Sequence, residues 1–231
     1  MKEKYIINKK FGETPLEALL RLRTLENIPD DIPMTYAGRL DPGASGELLV
    51  LTGEECKKKD EYLKLNKTYQ AEILIGIKTD SHDLLGIPEF TGLKGEKFLD
   101  IYSKIHEYLE SHRGKQMQKY PQYSSKNIDT GTLPPPHEVE LFEYKILKNG
   151  ERTNKEIIDR AVNLAEIVKG DFRQSEIKNA WNNLPDFRLL PSVEIELKVS
   201  SGFYIRQLAE DIGDYLGIGA CLYSLERTSI K

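Results

Sequence analysis

Ala37-Gly-Arg-Leu-Asp-Pro-Gly-Ala-Ser-Gly-Glu-Leu-Leu-Val-Leu51 puts one carboxylate, Asp41, into a turn of small residues that runs straight into an apolar strand. A residue before proline is driven out of the helical region, so Asp41 is expected at a turn or in extended chain. Gly43 and Gly46 permit close backbone approaches that other residues resist. The small side chains on either side leave room for a ligand to approach the carboxylate. An ordinary Asp-Pro turn leading into a buried strand over Glu47 to Thr52 needs the same residues, so the rest of the chain has to decide between the two.

Outward from this stretch the patterns alternate irregularly. Thr14-Pro15-Leu16-Glu17 reads as a capping box with proline at the first helical position. Leu16, Leu19, Leu20 and Arg23 are expected on one face, and the helix is expected to fade near Asn27 to Pro29. Tyr69, Ala71, Ile73, Ile75 and Ile77 alternate as one face of a strand. Lys78 to Ile87 reads as a polar loop closed by Gly86. Phe98, Ile101, Tyr102, Ile105 and Leu109 mark a helix over Glu96 to His112. Gly114 to Pro136 has no period and is expected as loop or short strand, and Val139 to Leu147 as strand. A second capping box at Thr153 to Glu156 opens a helix that Gly170 ends. Val193 to Val199 alternates as a strand, and Ile205, Leu208, Ala209, Ile212 and Leu216 form a helical face ending at Gly217. The mix lacks the regular alternation of a parallel sheet, which predicts an α+β fold with a mixed, largely antiparallel central sheet flanked by helices.

The 231 residues suit one large domain or two small ones, and 30% charged against 39% hydrophobic residues describe a well-solvated globular chain. No apolar run approaches the roughly 20 residues of a membrane span, and the N-terminus has no apolar signal core. Cys56 and Cys221 are far apart, and with four scattered histidines they make no disulfide framework and no metal constellation. A reducing cytoplasm is the expected location. The net charge of −4 is unhelpful for binding nucleic acid, but its distribution matters more than its sum. Arg113, Lys115, Lys119 and Lys126 run without an acid and are interleaved with Tyr120 and Tyr123. Lysines 57, 58, 59, 64 and 67 form a second basic stretch. Both are ordinary as solvated surface, and both can hold phosphates and stack bases.

Four stretches, taken in order, resemble the TruB family of tRNA pseudouridine synthases. They are Gly38-Arg-Leu-Asp-Pro-Gly-Ala-Ser-Gly46, Lys67-Thr-Tyr-Gln-Ala-Glu-Ile-Leu-Ile-Gly-Ile-Lys-Thr-Asp-Ser-His-Asp-Leu-Leu-Gly86, Tyr120-Pro-Gln-Tyr-Ser-Ser-Lys126 and Ser201-Gly-Phe-Tyr-Ile-Arg-Gln-Leu-Ala-Glu-Asp-Ile-Gly213. The resemblance implies a pseudouridine synthase fold and isomerisation of the T-loop uridine of tRNA, at position 55, without cofactor or metal. It implies Asp41 as the essential carboxylate, Arg206 as its partner and Tyr69 as the ring that stacks on the uracil. It also implies RNA contacts from Tyr36, Arg39, Lys67, Tyr123, Lys126 and Tyr204. The reaction itself asks for such groups. The C1′–N1 bond breaks, the base turns, and C1′ rejoins it at C5. A carboxylate can act there as nucleophile or base, an arginine fork can hold it, and an extruded base needs an aromatic surface. Singly, Tyr69 suits a core aromatic, and Arg206 an i,i+4 pair with Glu210 on its own helix. Asp80 and Asp83 suit turn caps and site residues equally.

The chain departs from the family pattern. Tyr36 stands where the family has histidine, and Lys9 to Pro15 is a degraded form of its N-terminal K-P-x-G-x-T-S. The stretch after Lys126 is short, and no C-terminal PUA domain is expected after Leu225-Glu-Arg-Thr228. The implied organisation is a single catalytic domain over 1–231, with a basic RNA-contacting insertion around 110–136, acting as a monomer on tRNA with weakened binding or on a minimal substrate. Gly38-Arg-Leu-Asp41 is also similar to the RsuA family of ribosomal-RNA pseudouridine synthases. A non-catalytic RNA-binding or tRNA-folding protein on the same fold is the remaining alternative.

Overall fold

The computed structural model describes residues 2–123 and 134–231. Its main sheet is built around the last strand of the chain, a strand the hydrophobic pattern did not reveal. The strands are β1 (Lys4–Lys9), β2 (Met34–Ala37), β3 (Ala44–Thr52), β4 (Lys67–Ile75), β5 (Ile77–Thr79), β6 (Pro88–Phe90), β7 (Gly114–Gln118), β8 (His137–Thr153), β9 (Leu189–Val199) and β10 (Ala220–Ile230). They order as β1-β3-β10-β4-β9-β8-β7, with β2 added to β3 and β5 paired with β6 in a separate two-stranded sheet. Only the short β3–β10 pairing among the named strands is parallel; the other ladders are antiparallel. The mixed, largely antiparallel sheet expected from the sequence is therefore the observed one.

The helices are α1 (Pro15–Leu25), α2 (Lys59–Leu63), α3 (Phe98–Ser111), α4 (Asn154–Ile167), α5 (Gln174–Asn182) and α6 (Ile205–Leu216). Both capping boxes form, at Thr14 with Glu17 and at Thr153 with Glu156. Gly217 closes α6 in the left-handed conformation at φ 67°, the end that glycine allows at least cost. On one face of the sheet, α3 and α6 bury Ile101, Ile105, Leu208 and Ile212 against Ile73, Ile195 and Leu197. On the other, α4 and α5 cover Leu74 and Cys221 with Ile157, Leu164, Ile177 and Trp181. Both faces of β4 are thus covered at its C-terminal end, and its alternation gives way to a continuous buried run, as expected for a strand packed on both sides.

Two expectations change, in α1 and β8, and a third, the short strand after Gly114, takes a definite place. In α1 the buried positions are Ala18, Leu19 and Leu22, while Leu16 and Leu20 face out; a short helix with several leucines allows two faces, and the packing against β1 and β3 chooses one. The segment after Gly114 begins as β7, the edge strand of the main sheet. Arg113 pairs with Glu110 and Lys115 with Glu138, so part of its basic charge is already met. β8 runs on to Thr153, well past Leu147, because its polar outer half still pairs with β9.

Gly46 sets the spacing at the centre. Its φ is 103°, and a Cβ there would lie 2.2 Å from the carbonyl oxygen of Arg227 on β10. Gly46→Ala is expected to cost about 3 kcal/mol or more, from backbone strain and forced separation of β3 and β10 together. Urea unfolding measures it, and a loss under ~1 kcal/mol would show that the strands part easily.

Candidate active site

The β3 turn holds Asp41 by its backbone. Ala44 N–H donates to Asp41 O at 3.0 Å, and Gly12 N–H donates to Pro42 O at 2.8 Å. Gly43 packs against Leu164 of α4, where a Cβ would come within 3.1 Å of Cδ2. The carboxylate remains 38% exposed, while the Arg206 side chain opposite is only 7% exposed. Arg206 Nε lies 2.8 Å from Asp41 Oδ2 and 3.6 Å from Asp83 Oδ2. The contact is an ion pair and not an aligned hydrogen bond, since the Nε–H is not aimed along the line to the oxygen. The fork is fixed by its other nitrogens: Nη1 donates to Ser81 O at 2.8 Å, and Nη2 reaches Tyr123 O at 3.4 Å. Arg206 sits at the start of α6, one residue after its first, and that helix start aims it across the sheet at the Asp41 turn and away from Glu210.

Asp83 is the second carboxylate. Its Oδ1 accepts from Ser81 Oγ at 2.6 Å and Leu85 N–H at 2.9 Å, leaving Oδ2 toward the guanidinium. Burial holds its pKa above the usual carboxylate range; Arg206 opposes that shift and Asp41 adds to it. Burial also works against the charge on Arg206, but the two carboxylates outweigh it and raise its pKa further. Asp80 takes the other role weighed for it. It accepts from Ile87 N–H at 2.8 Å and from Arg173 Nη1 at 2.9 Å, and so ties the loop to the start of α5. His82, between them, adopts φ 64°, and burial followed by the nearby Arg206 lowers its pKa to about 4.

The cleft lined by Asp41, Asp83, Leu84, Leu164, Arg206 and Leu222 has a free volume of about 20 Å³, room for one water. Asp41 is open to solvent on its other side, where its carboxylate is 38% exposed. Tyr69 lies in the same apolar cluster as Leu40, Ala44, Phe203 and Ile205, against the turn, and is largely covered.

The expected RNA contacts divide. Tyr204 is half-buried; burial raises its pKa, and the charges of Asp41, Arg206 and Arg39 all act on it. Arg39 is exposed beside it. Tyr123 is exposed, donates to Asp80 Oδ2 at 3.3 Å and lies under Arg173, 4.7 Å from guanidinium carbon to ring centroid. Tyr36 packs toward α1 with the Lys59 ammonium over its ring. Lys126 lies outside the described residues. Lys67 is a correction: it is 6% exposed, and its ammonium donates to Leu63 O at 2.8 Å and to Leu65 O, so it is not presented to a ligand. The first residue of β4 faces inward where β10 and the chain after α2 close over it.

Two buried cations beside the turn were not singled out as site residues from the sequence. Lys9 is fully buried and donates to Lys10 O at 3.0 Å and Glu13 O at 2.6 Å. Arg227, 1% exposed, donates to Glu47 O at 2.7 Å and Gly38 O at 3.0 Å. One guanidinium thus bridges the two ends of the segment that carries Asp41. The degraded N-terminal motif contained the only signal for Lys9, and nothing local marked Arg227. Burial lowers the pKa of Lys9 to about 8, and burial together with Arg227 lowers that of Lys67 to about 8.

For Lys67 the sign is definite. Its folded pKa lies below the unfolded 10.5, so between pH 8 and 10.5 the unfolded chain binds more protons and stability from this group rises with pH. Urea midpoints across that window should climb in the native protein relative to Lys67→Met, by on the order of 2 kcal/mol. Parallel curves would show that the lysine titrates normally.

Fold and site together present a partly exposed carboxylate, clamped by a buried arginine, beside an α+β sheet. Among solved structures, the fold matches a chain of a Cbf5–Nop10–Gar1 complex with a TM-score of 0.61 at 20% identity, covering 99% of this chain and 48% of that one. It also matches a chain of an H/ACA ribonucleoprotein bound to a substrate RNA containing 2′-deoxyuridine, with a TM-score of 0.58 at 18% identity, covering 99% and 47%. The TruB family pseudouridylate synthase N-terminal domain matches residues 33–205, and the chain belongs to that family. It is 30% identical over 226 residues to a protein of Chloroherpeton thalassium named tRNA pseudouridine synthase B, covering 97% of this chain and 81% of that protein. The protein of the same name in Francisella philomiragia is 32% identical over 227 residues, covering 96% and 63%. The family match settles the choice against the RsuA family that the Gly38-Arg-Leu-Asp41 stretch left open.

Proposed function

We propose that the protein converts uridine to pseudouridine in tRNA, at the T-loop position 55, with Asp41 as the catalytic carboxylate. The observation that carries this reading is the Arg206–Asp41 pair at 2.8 Å. It sets an accessible carboxylate against a buried guanidinium held by Ser81 O and Tyr123 O, and the TruB relatives named for tRNA pseudouridine synthesis support the substrate. Asp41 acts at C1′ or on the ribose while the N1–C1′ bond breaks. The freed uracil turns and bonds through C5; N1 gains a proton and the proton on C5 is lost, so the atoms balance without an oxidant or a second substrate. Arg206 keeps the carboxylate aimed during both bond changes. Tyr69 supplies the apolar floor under the turning base, and Arg39, Tyr204 and Tyr123 meet the RNA at the mouth.

The chain works in this reading as a single catalytic domain and a monomer, in a cytoplasm that suits two free cysteines. No helix among the described residues is long and apolar enough to cross a membrane. The test uses unmodified tRNA transcript and purified protein, with pseudouridine mapped by carbodiimide labelling and primer extension. A single new stop in the T-loop is the expected result. Signal confined to ribosomal RNA, or tight tRNA binding with no product, would overturn it.

A further inference from the structure

Beside the Asp41 cleft three rings from three separate parts of the chain form a column. Tyr120, two residues after β7, stacks on His137 at the start of β8, with centroids 4.2 Å apart and planes 22° from parallel. Tyr204, just before α6, meets both edge-on, at 5.6 Å from Tyr120 and 6.1 Å from His137. Each ring is half-buried, so none is sealed inside the core. The backbone holds the column in place: Gln118 joins β7 to Tyr204 through hydrogen bonds at 2.8 Å and 3.0 Å to its N–H and carbonyl.

His137 is held lightly. Its Nε2–H donates to Gly202 O at 2.9 Å, which leaves Nδ1 as a bare acceptor with no partner among the described residues. A covered acceptor without a donor costs stability, so this ring is not placed there for the fold's sake alone. The surroundings are basic. Arg39 and Lys119 are exposed, Arg39 within electrostatic reach of Tyr204 and Lys119 next to Tyr120 in the chain and within reach of Asp211, and neither makes an ion pair among the described residues. Tyr204 stands two residues before Arg206, whose Nε lies 2.8 Å from Asp41 Oδ2, and it is within electrostatic reach of both, which places the column beside the catalytic cleft.

We propose that Tyr120, His137 and Tyr204, with Arg39 beside them, form a stacking site for an unstacked nucleobase that neighbours the target uridine in the substrate RNA. A uridine drawn out to Asp41 leaves its neighbours without their stacking partner, and an aromatic column compensates for that loss without reading sequence. The free guanidinium of Arg39 is positioned for the phosphate between the two nucleotides. This site rests on the RNA-isomerising reading above and adds a second binding determinant to it.

The test places 2-aminopurine, one position at a time, on either side of the target uridine in a T-arm stem-loop. Fluorescence is read on binding to the native protein and to Tyr120→Ala, His137→Ala and His137→Phe. One flanking position should be quenched by the native protein and by His137→Phe, and much less by the two alanine variants. For the unlabelled stem-loop, KM should rise about 5- to 100-fold in the alanine variants, with kcat within about twofold, since a base–aromatic stack contributes about 1–3 kcal/mol. Quenching that ignores both rings while the RNA still binds would overturn the site, even if pseudouridine forms. Ring-dependent quenching without any product would uphold the site and overturn the catalytic reading.

Discussion

Asp41→Asn is expected to abolish pseudouridine formation, by about 10⁴-fold or more, while leaving the fold and RNA binding in place. An amide keeps the shape of the side chain but is neither a nucleophile nor a base at neutral pH, and losses of that order follow when a reacting group is removed. The structure explains why the protein should survive the change. Asp41 is the more exposed member of its ion pair, at 38% against 7% for Arg206. Asp83 stays 3.6 Å from the guanidinium as a second counter-charge, and the turn is held by Ala44 N–H and Gly12 N–H, which bond to main-chain carbonyls. Single-turnover assays on T-arm RNA, with unfolding curves alongside, measure both halves. Residual activity above a hundredth of the native rate would remove Asp41 from the centre of the chemistry.

The second large effect is at Arg206. Arg206→Lys keeps the charge but replaces a fork with a point, and no ammonium can meet Ser81 O, Tyr123 O and both carboxylates in the positions they occupy. The carboxylate of Asp41 then loses its direction, and a misplacement of about 1 Å costs about 100-fold in rate. The expected signature is a fall of about that size in kcat with KM little altered, because Arg206 is buried and acts through Asp41. Arg206→Met goes further. It leaves Asp83 buried without its cation, a loss of about 3–5 kcal/mol for a broken buried pair. A lysine variant that retained more than a tenth of kcat would mean that charge alone, and not the fork, serves Asp41.

Part of the candidate site's arrangement was legible in the sequence, and particular residues show why. Asp41 stood out because Pro42, Gly43 and Gly46 mark a turn that only backbone geometry requires. Arg206 had two readings: its helix face was legible, the family resemblance named Asp41 as its partner, and the local pattern allowed Glu210 equally. An i,i+4 pair with Glu210 satisfies every local rule, and only the approach of α6 to the β3 turn brings Asp41 within 2.8 Å. Asp80 and Asp83 were indistinguishable as loop carboxylates. The fold separated them by giving one Arg173 and the other Arg206.

Lys67 misled for the opposite reason. A lysine at the head of an amphipathic strand looks solvent-exposed, yet tertiary packing closed β10 and the chain after α2 over it, so its charge meets backbone carbonyls.

Local pattern settled the elements whose signals are local: the two capping boxes, the Gly217 stop, the alternation of β4 and β9, and the periods of α3, α4 and α6. It also settled the class, since strands and helices mixed without regular alternation build an α+β sheet. Non-local pairing decided the rest. β10 carries no clean alternation, because both of its faces are buried at its start and two irregularities break its register with β4, yet it joins the Asp41 strand to the rest of the sheet. Arg227 on that strand closes the Asp41 segment by its side chain and leaves room only for glycine at position 46 by its backbone. The energy of such contacts depends on atoms nearly two hundred residues apart in sequence, and a window of neighbouring residues contains none of it.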